Sequence, residues 1–305
     1  MQIMRLDKPA TPLLLALPLI AALAAPIDGR TPPAASVQVI SATGTVDTRN
    51  GEVRVERGTT FSGPLRAQNG RITVGSDARV LDLSTRNGRI EVGPRSLVDG
   101  AIETRNGPIT VADGVTVSGP VDSRNGAIEL GADVAVRGPV DSRNGRVVVG
   151  RMGRVESAIR TRNGAVTVES GGSVGAGIET RNGGIRLHSG AAVDGSLQAR
   201  NGPVRLEDAR VGGNVEVQGG DIYLSGRTEV RGDVILLMPE DRGLDLWFWP
   251  FNRWGDGSTP VIRIDSEARV GGRLIVDERA RLEIAPGADV PEPEYYPNLE
   301  AWTGR

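Results

Sequence analysis

The chain contains no cysteine, which removes disulfides, thiolate metal sites, lipid-modified cysteines and cysteine nucleophiles together. It has a single histidine, His188, so imidazole general-base and metal chemistry have almost no material to work with. Lysine is nearly absent: beyond Lys8 the positive charge is carried by arginine alone. With four Trp, three Tyr and three Phe in 305 residues, the chain cannot fill conventional globular cores. Its interior must instead be a thin repeated layer of Val, Ile, Leu and Ala. An excess of charge of one sign is missing too. The 36 basic and 38 acidic residues leave a net charge of −2, so there is no electrostatic case for nucleic acid. Glycine, by contrast, is abundant, with 42 residues, about twice the usual share. Its spacing lacks the period of three that collagen requires.

The N-terminus predicts an export signal. Arg5 and Lys8 give a positive start, residues 13–25 an apolar stretch, and Ala22, Leu23 and Ala24 a small-x-small cleavage site. Cleavage is expected after Ala24. The apolar run is shorter than the ~20 residues of a membrane span and is broken by Pro18, so no transmembrane span is expected after processing. Residues 25–43, with Pro26, Pro32 and Pro33, read as a linker and N-terminal cap.

A fixed period then dominates the chain. Asn-Gly recurs at Asn50, Asn69, Asn87, Asn106, Asn125, Asn144, Asn163, Asn182 and Asn201, at steps of 18 or 19 residues. Around each pair, apolar residues alternate with polar ones, which is the period of a strand. In the repeat that starts at Gly107, Ile109 and Val111 form one short run, Val115 and Val117 a second, and Val121 opens a third. Strands this short cannot pair as hairpins within a repeat, so their backbone groups must bond to the repeats before and after. An array of hairpins, for which Asn-Gly is a strong local signal, would need an even number of strands per repeat. The expectation is an all-β, single-stranded parallel β-helix of about twelve coils of 19 residues, right-handed by preference. Val53, Ile72, Ile90, Ile109, Ile128, Val147, Val166, Ile185, Val204, Ile222, Ile262 and Leu282 mark one inward position in successive coils. At ~4.8 Å per layer the stack is about 58 Å long.

Counting by twos from Val121 turns Ser123 and Asn125 inward, and Asp122 and Arg124 outward. Stacking then predicts a Ser/Thr column and an Asn ladder at an inner corner. Asn and Gly would be there for the left-handed backbone of a tight turn, with each amide bonding to the next Asn. The outward column is Arg49, Arg86, Arg105, Arg124, Arg143, Arg162, Arg181 and Arg200, with Gln68 as the exception. Charges ~4.8 Å apart repel by roughly 0.9 kcal/mol in water. Asp47, Glu103, Asp122, Asp141 and Glu179, two residues earlier, predict ion pairs worth ~0.2–1 kcal/mol each. A polyanion-binding stripe is the competing reading.

The pattern breaks between Ile222 and Ile262. Residues 238–260 are inserted there and hold Trp247, Phe248, Trp249, Phe251 and Trp254, half of all the aromatics. Such rings suit contact with a sugar or protein partner, or equally a plug folded back on the solenoid flank. The organisation read from sequence is therefore a signal at 1–24, a linker at 25–43 and a solenoid at 44–237. The aromatic insertion at 238–260 follows, then last coils at 261–290 and a Pro- and acid-rich tail at 291–305.

The alternation of V-x-G-x-I/V with T-R-N-G-x-I-x-V, as at Val117, Gly119 and Val121 and at Val230, Gly232 and Val234, resembles two families. One is the bactofilins, polymer-forming bacterial β-helices, which are cytoplasmic and shorter. The other is the adhesin-type β-solenoid domains of unknown function in exported bacterial proteins. The second resemblance implies an exported, non-enzymatic structural or adhesive element of the cell envelope, with an envelope glycan or protein as partner. The first implies a self-assembling filament subunit, joined through the solenoid ends. A β-helix polysaccharide-degrading enzyme is a third reading. Coils of nearly constant length leave no loops to wall a cleft for it. No calcium-binding nonapeptide occurs, and no catalytic, cofactor or metal residue stands out; His188 reads as a solvated corner residue.

Overall fold

Short alternating runs bounded by glycine can bury one side only by stacking on copies of themselves, and that is the arrangement observed. A computed structural model describes residues 44–239, 259–298 and 301–302, with two short strands, Ala21–Ala22 and Val37–Val39. Each complete coil contributes one strand to each of three sheets, and the first and last turns reach face two only through isolated bridges at Thr60 and Asp289. Taking the repeat above, Ile109–Val111 lies on face one, Thr116–Val117 on face two and Val121–Ser123 on face three. Face one has 14 strands, face two 10 and face three 13. Neighbours pair in parallel and in strict register, Ile109 with Ile128 and Val121 with Val140. Twelve face-one strands run from Val53–Val55 to Arg281–Ile284, so the chain is a parallel β-solenoid of about twelve turns.

The core is a set of columns. The inward residues of face one are buried from Val53 to Ile262, and Leu282 is partly covered. Face two presents valine inward in all ten of its strands, from Val80 to Val270. Phe61, the one aromatic in this core, lies one coil before Val80 at the N-terminal end, its amide bonded to the Arg79 carbonyl (2.8 Å).

The corners differ from expectation in chemistry. Among the described residues, left-handed backbone occurs at the turn between faces one and two, as at Gly114 (φ 69°) and Asp133 (φ 56°), and at no Asn-Gly corner. Glycine is needed at Asn-Gly for a different reason. A Cβ on Gly126 would lie 1.9 Å from the carbonyl oxygen of Gly107, one coil below. Close stacking of coils, and not a positive φ, excludes every side chain there.

The solenoid also extends past the expected limits. Val37–Val39, in the stretch read as linker and N-terminal cap, pairs in parallel with Val53–Val55 and carries Ala21–Ala22 antiparallel on its other edge. Pro293–Tyr296, in the stretch read as tail, adds to face three beside Leu274–Asp277. The insertion replaces the corner between face three and face one, while Ile222 and Ile262 pair directly across the gap. Trp247, Phe248, Trp249, Phe251 and Trp254 lie outside the described residues, as do most of residues 1–43.

Candidate functional site: two charged columns on face three

The face-three strand ends in a buried hydroxyl. Thr85, Thr104, Ser123, Ser142, Thr161 and Thr180 are all buried, and each donates to a corner glycine carbonyl, Ser123 Oγ to Gly107 (3.2 Å) and Thr104 Oγ1 to Gly88 (3.1 Å). The inner Ser/Thr column thus satisfies carbonyls that the sharp turn would otherwise strand.

The asparagines do not share that interior. Asn125 and its equivalents are exposed, because the chain leaves the extended conformation after Ser123 and alternation by twos ends there. They still form a continuous ladder on the outer corner. From Asn69 to Asn201, each Nδ2 donates to Oδ1 of the preceding coil's Asn, at 2.7 Å for Asn125 on Asn106.

The ion pairs expected along the arginine column are also absent among the described residues. Arg49, Arg86, Arg105, Arg124, Arg143, Arg162, Arg181 and Arg200 have no carboxylate oxygen within 4.0 Å. Only Arg160, which stands in the carboxylate column itself, bridges Asp141 and Glu179, at 4.0 Å from each. Tight pairs form elsewhere, as where Asp77 accepts from Arg95 (2.8 Å) at the left-handed turn.

Two parallel columns of charge result. Glu103, Asp122 and Asp141 pair residue to residue across three successive strands, like charge beside like charge. Partial desolvation in the groove, and then the charges of Asp141 and Glu103, raise the Asp122 pKa above its ordinary value. Burial does the same for Asp141, with Arg160 opposing. Between the carboxylates and the arginines lie two hollows of about 400 Å³ each, which share Asp122 and Arg124 and together form one groove along the solenoid axis.

A second constellation was not anticipated. On face one, Arg186, Arg205, Tyr223 and Arg263 stand in register. The Arg205 guanidinium lies 4.9 Å from the Tyr223 ring centre. The Tyr223 hydroxyl donates to Asp221 (3.0 Å), and burial followed by that bond raises its pKa. His188 Nδ1 is 3.4 Å from Glu207 Oε2, and both line a face-one hollow together with this column. The column is hard to see in sequence, because its members stand at a position of the repeat whose residue type varies from coil to coil, held by Thr110, Glu129 and Val148 in earlier coils.

Both ends of the aromatic insertion are anchored. Asp277, fully buried, accepts from the amide of Met238 (2.9 Å) and from Arg279 (2.9 Å), whose guanidinium also reaches the Met238 and Pro239 carbonyls. Burial would raise the Asp277 pKa, but these bonds outweigh it and hold the carboxyl below its ordinary value. At the other end Val261 donates to Asp221 (2.9 Å). Beside this anchor Ile235, Leu237 and Ile275 form a small second core on the outside of the solenoid, covered by Tyr296 and Trp302.

Among the described residues no group of three or more His, Asp or Glu is placed to hold a metal ion, and no helix is long and apolar enough to cross a membrane. No family model, curated protein or solved structure matches this chain.

Proposed function

We infer that this is an exported, non-enzymatic β-solenoid that serves as a structural or adhesive element of the bacterial cell envelope. The observation that carries the reading is the charged groove of face three: shallow, open, and running along successive coils of a stack tied together by backbone hydrogen bonds. Such a surface suits lengthwise contact with an extended partner better than enclosure of a small substrate. The export signal and the likeness of the repeat to adhesin-type domains support the same reading. Processing after Ala24 would remove Ala21–Ala22 from the edge of face one.

Fractionation of producing cells, with N-terminal sequencing of the recovered chain, tests this. The expected result is a mature start near Ala25, outside the cytoplasm, with the protein retained on washed envelope material. A soluble cytoplasmic chain that keeps residues 1–24 overturns it. One observation favours a filament subunit as second reading. The last face-one strand, Arg281–Ile284, has no following strand among the described residues and leaves Ile284 39% exposed, an edge open to another copy. Concentration-dependent assembly of the mature chain would select it.

A further inference from the structure

The arginine column is the largest unexplained feature of the surface. Its backbone stays in register past the strand end, since Arg124 donates to the Thr104 carbonyl and Asn125 to the Arg105 carbonyl. Seven coils in succession, from Arg86 to Arg200, therefore hold a guanidinium at strand spacing, about 29 Å of track. All seven are exposed, and none has a carboxylate within 4.0 Å among the described residues. A row of like charges repels along its length, and a ligand with regularly spaced anionic groups would relieve it.

The neighbouring column narrows the ligand. Glu103, Asp122 and Asp141 line the same hollows as Arg105, Arg124 and Arg143. They would repel a polymer that is only anionic. They would hold one that also carries hydroxyl donors, because an ionised carboxylate only accepts hydrogen bonds. No aromatic side chain lines the groove, so it lacks the stacking platforms on which single-stranded nucleic acids are held.

We propose that face three binds an acidic polysaccharide lengthwise, its anionic groups on the arginine column and its hydroxyls donating to the carboxylate column. This rests on the adhesive reading above and names its ligand class. Uronate and sulfated glycans share the required chemistry, and a nucleic acid would be a different ligand.

The test is titration of the full chain with polygalacturonate, dextran sulfate, neutral dextran and poly(dT) at several salt concentrations. Binding of either or both acidic glycans, the pair of results identifying the anionic group preferred, supports the proposal, provided neutral dextran stays unbound. The affinity should fall linearly on a log–log salt plot. Combining Arg124→Gln, Arg143→Gln and Arg162→Gln should reduce that slope by about 0.7 per arginine without lowering the melting temperature. Replacing Arg186 and Arg205 on face one by Gln should leave the slope unchanged. Removing negative charge through Asp122→Ala and Asp141→Ala would tighten any polyanion held by charge alone, whereas loss of hydroxyl acceptors should weaken glycan binding severalfold.

Unaltered glycan binding by the folded triple variant, loss of binding through the face-one pair instead, or poly(dT) binding as tight as the glycans would each overturn the proposal. So would retention on envelope material with no affinity for either acidic glycan, a result that leaves the envelope reading standing. Glycan binding by a cytoplasmic chain would support this inference and remove the envelope reading.

Discussion

The middle coils and the last coils share the same three sheets but finish their outer surface in opposite ways. At the outward position of face three, Glu103, Asp122 and Asp141 meet solvent along an open groove. In the same register further on stand Ile235 and Ile275, buried beneath Tyr296 and Trp302. One strand pattern is buried, exposed, buried; the other is buried throughout. A solenoid face therefore becomes an open surface or an internal one according to a single column of residues. The chain's own C-terminal segment supplies the cover where that column is apolar.

The largest effect should come from the shared inner core. Ile128→Asp puts a charge into an aliphatic column with no partner, and coils that depend on their neighbours should lose structure together. Far-UV circular dichroism should show loss of cooperative melting. A direct exchange of the two outer patterns comes next. Ile235→Asp should cost about 3–5 kcal/mol, whereas Asp122→Ile at the equivalent mid-solenoid position should change stability by no more than about 0.5 kcal/mol. Equal costs in denaturant unfolding would mean that the outer cover contributes nothing. Asp277→Ala leaves the Met238 amide and Arg279 without their buried acceptor and should cost about 1–3 kcal/mol. Proteolysis at the ends of the insertion should then become faster.

The two regions should also respond to acid with opposite sign. Asp122 and Asp141 have raised pKa values, so their contribution is present below the ordinary value of 3.8 and is lost as pH rises through the raised value. Asp277 is lowered, as is Asp233, where burial is outweighed by the side-chain bond, backbone bond and charge of Arg273 together; their contribution is present above 3.8 and is lost as pH falls through the depressed value. Hydrogen exchange between about pH 6 and about pH 3 should show Leu274–Asp277 losing protection while Val121–Ser123 keeps or gains it. Loss of protection starting at the middle coils would reverse the assignment. The smallest effect is expected for Arg124→Ala, no more than about 0.5 kcal/mol in thermal unfolding, because its side chain is exposed and makes no ion pair.

Much of this was legible in the text of the chain. The Asn-Gly period, the inward aliphatics from Val53 to Ile262 and the buried Ser/Thr column all follow from strand alternation repeated at fixed length. The second core left a trace too, since Val234, Ile235 and Leu236, like Leu274, Ile275 and Val276, are unbroken apolar runs of the kind buried on both sides. What covers them could not be read, because Trp302 lies far from Ile235 in sequence and comes from a stretch that carries no repeat. The arginine column was seen but its pairing was misjudged. Asp122 and Arg124 would face the same way if the strand continued, but it ends at Ser123, and sequence spacing does not show where a strand stops.

The sequence by itself determined the period, the three-strand coil and the identity of the core columns, because these depend on local alternation and on corners that recur every 18 or 19 residues. Tertiary structure decided where each corner residue points, why glycine is required at Asn-Gly, and which charges stand unpaired. Those outcomes depend on the distance between atoms in successive coils, such as the 1.9 Å that separates a Cβ on Gly126 from the carbonyl of Gly107. No spacing within one coil contains that distance, since it exists only once two coils are stacked.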